Sequence, residues 1–252
     1  MLNGVHILIF KNIPYYLTGL TIFFLLFKSG LCLASSPKLE IGILFSLPHN
    51  VQEESQKLSG EVTRRLIAHF PENSPKNIPH ISLFQLKIEE SRLPELIENL
   101  GVFLKKNPFL PTLTMRSSLT DTQENIFWTV ERIDDETNLN DFHKSIVEIA
   151  AAYRSSELME QVRMLRNLSL DQREKVKNYG IFWGLPGNLN PHITLFYDSG
   201  IDRKDQNKTF ISIKDLIGEI AVTPGIVFKA QSLAIGKLGR SGNVEKILHK
   251  FE

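Results

Sequence analysis

From Lys38 onward the apolar positions switch repeatedly between a period of two and a period near 3.6, the marks of strands and of amphipathic helices. KLEIGILFSL (38–47) reads as a strand. Val51, Leu58, Val62, Leu66 and Phe70 form a helical stripe through 51–70, and PENSPKN (71–77) is a loop by its breakers. IPHISLFQLKI (78–88) predicts a second strand. SRLPELIENLGVFLKK (91–106) predicts a helix with Ser91 as N-cap and Pro94 in its first turn. FLPTLTMRS (109–117) and NIFWTVERI (125–133) suggest two strands about a polar turn, followed by a helix over 139–153. A further helical stretch, 155–180, is broken near Ser169. After the loop FWGLPGNLN (182–190) come the strand NPHITLFYD (190–198) and a short helix at 212–221. GIVFKAQSLAIGKL and NVEKILHKF then pair as a hairpin about GRSG (239–242). Interspersed helices with recurring hairpins favour an α+β fold with antiparallel sheets over a doubly wound parallel sheet. The order predicts two similar lobes.

The first 34 residues break this pattern. IPYYLTGLTIFFLLF (13–27) is uncharged, with Lys11 before it and Lys28 after it. SGLCLASSP follows, and the small residues Cys32 and Ala34 suit signal-peptidase cleavage after Ala34. The expectation is a signal peptide over 1–34 and an exported protein, periplasmic or secreted. The alternative is an uncleaved membrane anchor, because Lys28 follows the apolar run directly. Leu31 stands where a lipoprotein has a small residue. Cys32 is the one cysteine, which excludes an internal disulfide and a multi-cysteine zinc site. The remainder, 38–252, has the composition of one domain or two small lobes: the whole chain of 252 residues is 42% hydrophobic and 23% charged. A net charge of +1 argues against long duplex nucleic acid or an anionic membrane surface as partner, and leaves a small anionic substrate open. A monomer is expected.

The candidate chemistry lies in a repeat. PHISLF (79–84) returns as PHITLF (191–196). In a strand, residues two apart share a face, so His80 points with Ser82 and His192 with Thr194, while the intervening apolar residues pack the other way. Two imidazoles and two short hydroxyls in one pocket suit a phosphodiester. One neutral ring takes the attacking proton, one protonated ring supplies the leaving oxygen, and hydroxyls bind the phosphate oxygens. The scheme requires no metal and no cofactor. Agreement at four flanking positions of two histidines is hard to reach by accident; a repeat that is only structural stays open as the competing reading.

H-Φ-[ST]-Φ, written twice with a closing hairpin after the second copy, resembles the two-histidine phosphoesterase superfamily, which includes 2′-5′ RNA ligase-like proteins and cyclic nucleotide phosphodiesterases. The resemblance spans 38 to the C-terminus. It implies a bilobal, pseudo-twofold α+β fold, with two antiparallel sheets flanking a central cleft and helices outside. It implies His80 and His192 as the acid–base pair and Ser82 and Thr194 as phosphate binders. It also implies a small nucleotide or RNA-end substrate, a 2′,3′-cyclic phosphate or a 2′-5′ linkage, hydrolysed without metal. The segment 228–251 resembles the family's closing strand pair, and against a minimal member of the family the helical stretch 155–180 reads as an insertion before the second motif. Two rivals stand beside this: a nucleotide or RNA-end binding module that kept the cleft without turnover, and a metal hydrolase using the same histidines.

Other residues add less. Phe84 and Phe196, four after each histidine, share the cleft-side face of a regular strand, and stack on a base or pack beneath the cleft. Trp183, in a loop beside the second motif, is a stacking candidate. Lys87 is at an odd offset from His80 and so points off the cleft, and Tyr197 faces away from it by the same rule. Arg116, Lys237 and Arg240 are solvated cations that could reach a phosphate. His143 reads as lying on the exposed side of its helix. His49, His69 and His249 lack a partner motif. The acidic turn Asp134–Asp135–Glu136 lacks the spaced donors of a metal site.

Overall fold

The computed structural model describes residues 36–67, 77–121, 125–165, 167–197, 215, 217–220, 222, 226–239 and 242–252. The expected N-terminal signal or anchor, His69, Arg240, most of the expected loop at 71–77 and half of the expected helix at 212–221 lie outside them. Among the described residues no helix is long and apolar enough to cross a membrane.

The elements of the unit Pro37–Glu252 are, in order, β1 (Lys38–Ser46), α1 (His49–Ile67), β2 (His80–Glu89), α2 (Leu93–Lys106), β3 (Thr112–Met115), β4 (Thr120–Asp121) and β5 (Asn125–Ile133). Then come α3 (Glu136–Ala151), α4 (Glu160–Met164), α5 (Leu170–Tyr179), β6 (His192–Tyr197), β7 (Val227–Lys229), β8 (Ser232–Leu238) and β9 (Val244–Lys250). The architecture is α+β with two antiparallel sheets, as the periodicity predicts. The helix expected from Ser91 starts later, at Leu93, after a 3-10 turn over Glu90–Arg92 that contains the serine. The acidic turn serves as a helix cap: the Asp135 side chain accepts from the Asn138 backbone N–H at 3.2 Å. The break near Ser169 is a capping box with Gln172, and α5 ends at Gly180, whose φ of 82° is left-handed and favours glycine.

The first sheet has the order β2-β1-β8-β9. β1 is central, with Ile41, Ile43, Leu44 and Phe45 all buried. In the second sheet β5 pairs with β6 along one edge and with β3 and β4 along the other, and β7 lies outside β3. Among the described residues each repeat strand therefore pairs, within its sheet, with one neighbour: β2 with β1, β6 with β5.

One expectation needs correcting. The stretch 225–238 is not a single strand. Ala230 N–H donates to Pro111 O at 3.0 Å, and the next residue, Gln231, donates to Ser46 O at 3.0 Å. Neighbouring residues thus bond to different sheets, so β7 belongs to the second sheet and β8 to the first, and only β8 and β9 form the closing hairpin. This crossing ties the two sheets together.

The helices cross over as well. α1, which lies between β1 and β2 in sequence, packs on β6, and α3, between β5 and β6, packs on β2. Among the described residues the largest fully buried side chain is Trp128 on β5, whose indole N–H donates to Arg116 O at 2.9 Å. Truncating it to alanine would cost about 3–5 kcal/mol of stability.

Candidate functional site

A cleft of about 760 Å³ is lined from both sheets, and His80, Ser82, His192 and Thr194 all line it. The local sequence explains how the rings are aimed. A residue before proline is held extended. Ile78 precedes Pro79 and Asn190 precedes Pro191, and each turns its carbonyl to the ring two residues on. His80 Nδ1–H donates to Ile78 O at 2.6 Å, and His192 Nδ1–H donates to Asn190 O at 2.7 Å. A carbonyl only accepts, so in the neutral ring the proton sits on Nδ1 and Nε2 is a bare base. In the first motif that Nε2 accepts from Ser82 Oγ–H at 3.1 Å.

Both repeat strands carry a β-bulge at the same place. Ser82 pairs with Leu44 and Phe84 with Ile43, which leaves Leu83 as the extra residue. Thr194 pairs with Phe127 and Phe196 with Ile126, which leaves Leu195. The extra residue shifts the alternation by one. Phe84 and Phe196 therefore turn to the sheet face opposite the histidines, though both residues still border the cleft. They are 1% and 9% exposed and pack in the core, so neither presents an open ring face for stacking. Lys87 stays out of the cleft as expected, though not for the reason of its offset. It pairs with Glu40, on the same sheet face as His80, and its ammonium is tied to Glu157 at 3.1 Å, away from the cleft lining. Gln85, after the bulge, comes onto the cleft face instead.

Burial shapes the electrostatics. His80 is 6% exposed, and desolvation pushes its pKa down from 6.5 to about 4; positive charge on His192 adds to the lowering, and the Ile78 carbonyl opposes it. His192 is half-buried, and burial also lowers its pKa, against the pull of the Asn190 carbonyl. Both rings are neutral at pH 7 in the free protein.

Several lining residues escaped sequence reasoning. The Phe127 ring packs on His192 with centroids 4.3 Å apart. Asn77 Nδ2 donates to Thr194 O at 3.2 Å and its Oδ1 accepts from Val244 N at 3.1 Å, so a residue of the first motif's approach holds the second motif's strand. Its place three residues before His80 was the available signal. Trp183, half-buried, lines the cleft as expected; its Nε1–H donates to Gln85 Oε1 at 3.4 Å and Phe182 packs edge-on at 5.0 Å. The insertion contributes Gln161 and Leu165 to the wall.

The other candidates lie elsewhere. His143 is fully buried rather than exposed, with Nε2–H donating to Leu83 O at 2.9 Å. His49 pairs with Glu53 at the surface, and His249 packs on Phe251. Arg116 and Lys237 are exposed and do not line the cleft. The Tyr197 side chain lies outside the described residues. Among the described residues no cluster of three or more histidine, cysteine or carboxylate groups is placed to hold a metal.

No family model matches the chain, and no curated protein matches it. Among solved structures it is similar to two of Usb1 from Kluyveromyces marxianus. One, with uridine monophosphate, is 14% identical at a TM-score of 0.42, over 82% of this chain and 96% of that one. The other is 13% identical at a TM-score of 0.44, over 86% and 98%. Likenesses this distant carry no weight for function, and the reading of the site stands on this chain's own geometry.

Proposed function

We propose that this chain is a phosphodiesterase that opens a 2′,3′-cyclic phosphate, or cleaves a 2′-5′ linked nucleotide or RNA end, by paired-histidine acid–base catalysis. One observation carries this reading: two imidazoles in one cleft, each tethered at Nδ1 by the carbonyl two residues back, each leaving an unprotonated Nε2, each followed by a hydroxyl two residues on. His80, the deeper ring, is the base. Its depressed pKa keeps it neutral, and its Nε2 takes the proton of the attacking water. His192, the outer ring, is protonated when the anionic substrate binds, since a nearby negative charge favours imidazolium. It gives that proton to the departing ester oxygen as the P–O bond breaks. As the substrate binds, the Ser82 hydroxyl turns from His80 Nε2, and Ser82 and Thr194 donate to the non-bridging oxygens as their charge grows. Export follows from the N-terminal segment as a further part of the proposal.

The test is turnover on a panel of 2′,3′-cyclic nucleotides and 2′-5′ dinucleotides, with and without EDTA. Turnover that persists in EDTA is expected, and the regiochemistry of the product names the activity. Binding without product on every substrate would replace the enzyme with a binding module, and loss in EDTA would replace the mechanism with a metal hydrolase.

A further inference from the structure

The two bulges have a feature in common beyond their position. A bulge leaves its extra residue outside the regular ladder, and in both strands the carbonyl of that residue is taken by a side chain from a helix. Leu195 O accepts from Ser59 Oγ at 2.7 Å, and Leu83 O accepts from His143 Nε2 at 2.9 Å. Ser59 is on α1, the helix of the first motif's half, and His143 is on α3, the helix of the second. Each half thus holds the bulge of the other. The held carbonyl belongs to the residue directly after the phosphate-binding hydroxyl, Thr194 in one strand and Ser82 in the other.

We propose that Ser59 and His143 are reciprocal positioning residues: each fixes the bulge in the opposite motif strand and so sets the aim of that strand's hydroxyl. This rests on the phosphodiesterase reading for its catalytic consequence, though not for its structural one. A carbonyl at a bulge has two lone pairs and no fixed ladder partner, so without a donor its peptide plane can tilt, and the adjoining hydroxyl tilts with it. The burial of His143 supports the assignment. Its ring is 0% exposed, burial lowers its pKa against the pull of the Leu83 and Gly184 carbonyls, and among the described residues the hydrogen bond of normal geometry that the ring makes is the one to Leu83. Ser59 lines the cleft, yet its hydroxyl proton is committed to Leu195.

The pairing is crossed, and that gives a test that general damage to the fold would not imitate. With a 2′,3′-cyclic nucleotide, Ser59→Ala should lower kcat about five- to tenfold, the scale of one lost hydrogen bond. That loss should vanish in a Thr194→Val background and persist in full in Ser82→Ala. His143→Leu should show the opposite pattern, adding nothing to Ser82→Ala and its full effect to Thr194→Val. His143→Gln, which retains an N–H donor, should recover most of the rate. Losses that add in every background, or a glutamine variant no better than leucine, would overturn the proposal. If the wild type turns over no substrate, the functional reading falls and the clamp is decided by imidazole ¹⁵N shifts. His143→Leu should then move the His80 ring and leave His192, and Ser59→Ala should do the reverse. Shifts in both rings, or in neither, would overturn it.

Discussion

The two repeat strands have the same backbone and different solvation. Each has a proline, a histidine tethered to the carbonyl two back, a hydroxyl, and a bulged leucine. Even the residue across the ladder matches. Ser46 opposite His80 bonds the Ser232 hydroxyl at 2.7 Å, and Thr129 opposite His192 bonds the Thr120 hydroxyl at 2.6 Å. The rings differ in depth. His80 is nearly enclosed, and its Nε2 is met by Ser82; His192 is half-buried beside Phe127. Duplication supplies two equivalent bases, and unequal burial makes them chemically unequal.

The largest effect that separates the halves is on rate. His80→Ala and His192→Ala should each lower kcat by roughly 10²–10⁴, the range for losing a general acid or base; steady-state kinetics on a cyclic substrate checks this, and full activity in either variant removes that ring from the chemistry. Ser82→Ala and Thr194→Val come next, at roughly tenfold to a hundredfold in kcat each, from loss of a donor to a developing charge. An effect in KM alone would make them ground-state binders.

Stability should follow pH through the deeper ring. A histidine whose folded pKa is depressed binds fewer protons than the unfolded chain between about 4 and 6.5, so stability is greatest above that window and falls as pH drops through it. The loss attributable to His80 is on the order of 3 kcal/mol at most. Thermal melts from pH 7 to 4 measure it, and His80→Gln should flatten the slope. The smallest effect is expected from Trp183→Ala. It should raise KM a few-fold for a substrate with a base and leave kcat alone, in line with stacking of about 1 kcal/mol; an unchanged KM would make the indole a wall.

The sequence made the fold class, the order of elements and the four motif residues legible, because period-two and helical patterns are local and the hexapeptide is written twice. The bulges were invisible. They are defined by pairing, and nothing in SLF or TLF announces that Leu83 or Leu195 drops out of the ladder. From that one blind spot follow the turned rings of Phe84 and Phe196 and the sheet face of Lys87. His143 was misread for a related reason: its helix packs on β2 of the other half, and a polar residue facing that contact has the same local pattern as one facing water. The strand crossing at Ala230–Gln231 is again a matter of partners.

Burial also moves an expectation about pH. Paired histidines suggest a rate profile bracketing neutrality, but both rings are depressed in the free protein. The most direct test of the acid–base pair is the pH dependence of kcat/KM and kcat in EDTA on a 2′,3′-cyclic nucleotide. The base must be neutral and the acid protonated, so kcat/KM should be bell-shaped with its optimum on the acid side, between about 4 and 6.5. The kcat profile should lie higher, where bound phosphate raises the imidazolium pKa. A rate independent of pH from 4 to 8, or a single limb, would contradict two titrating imidazoles.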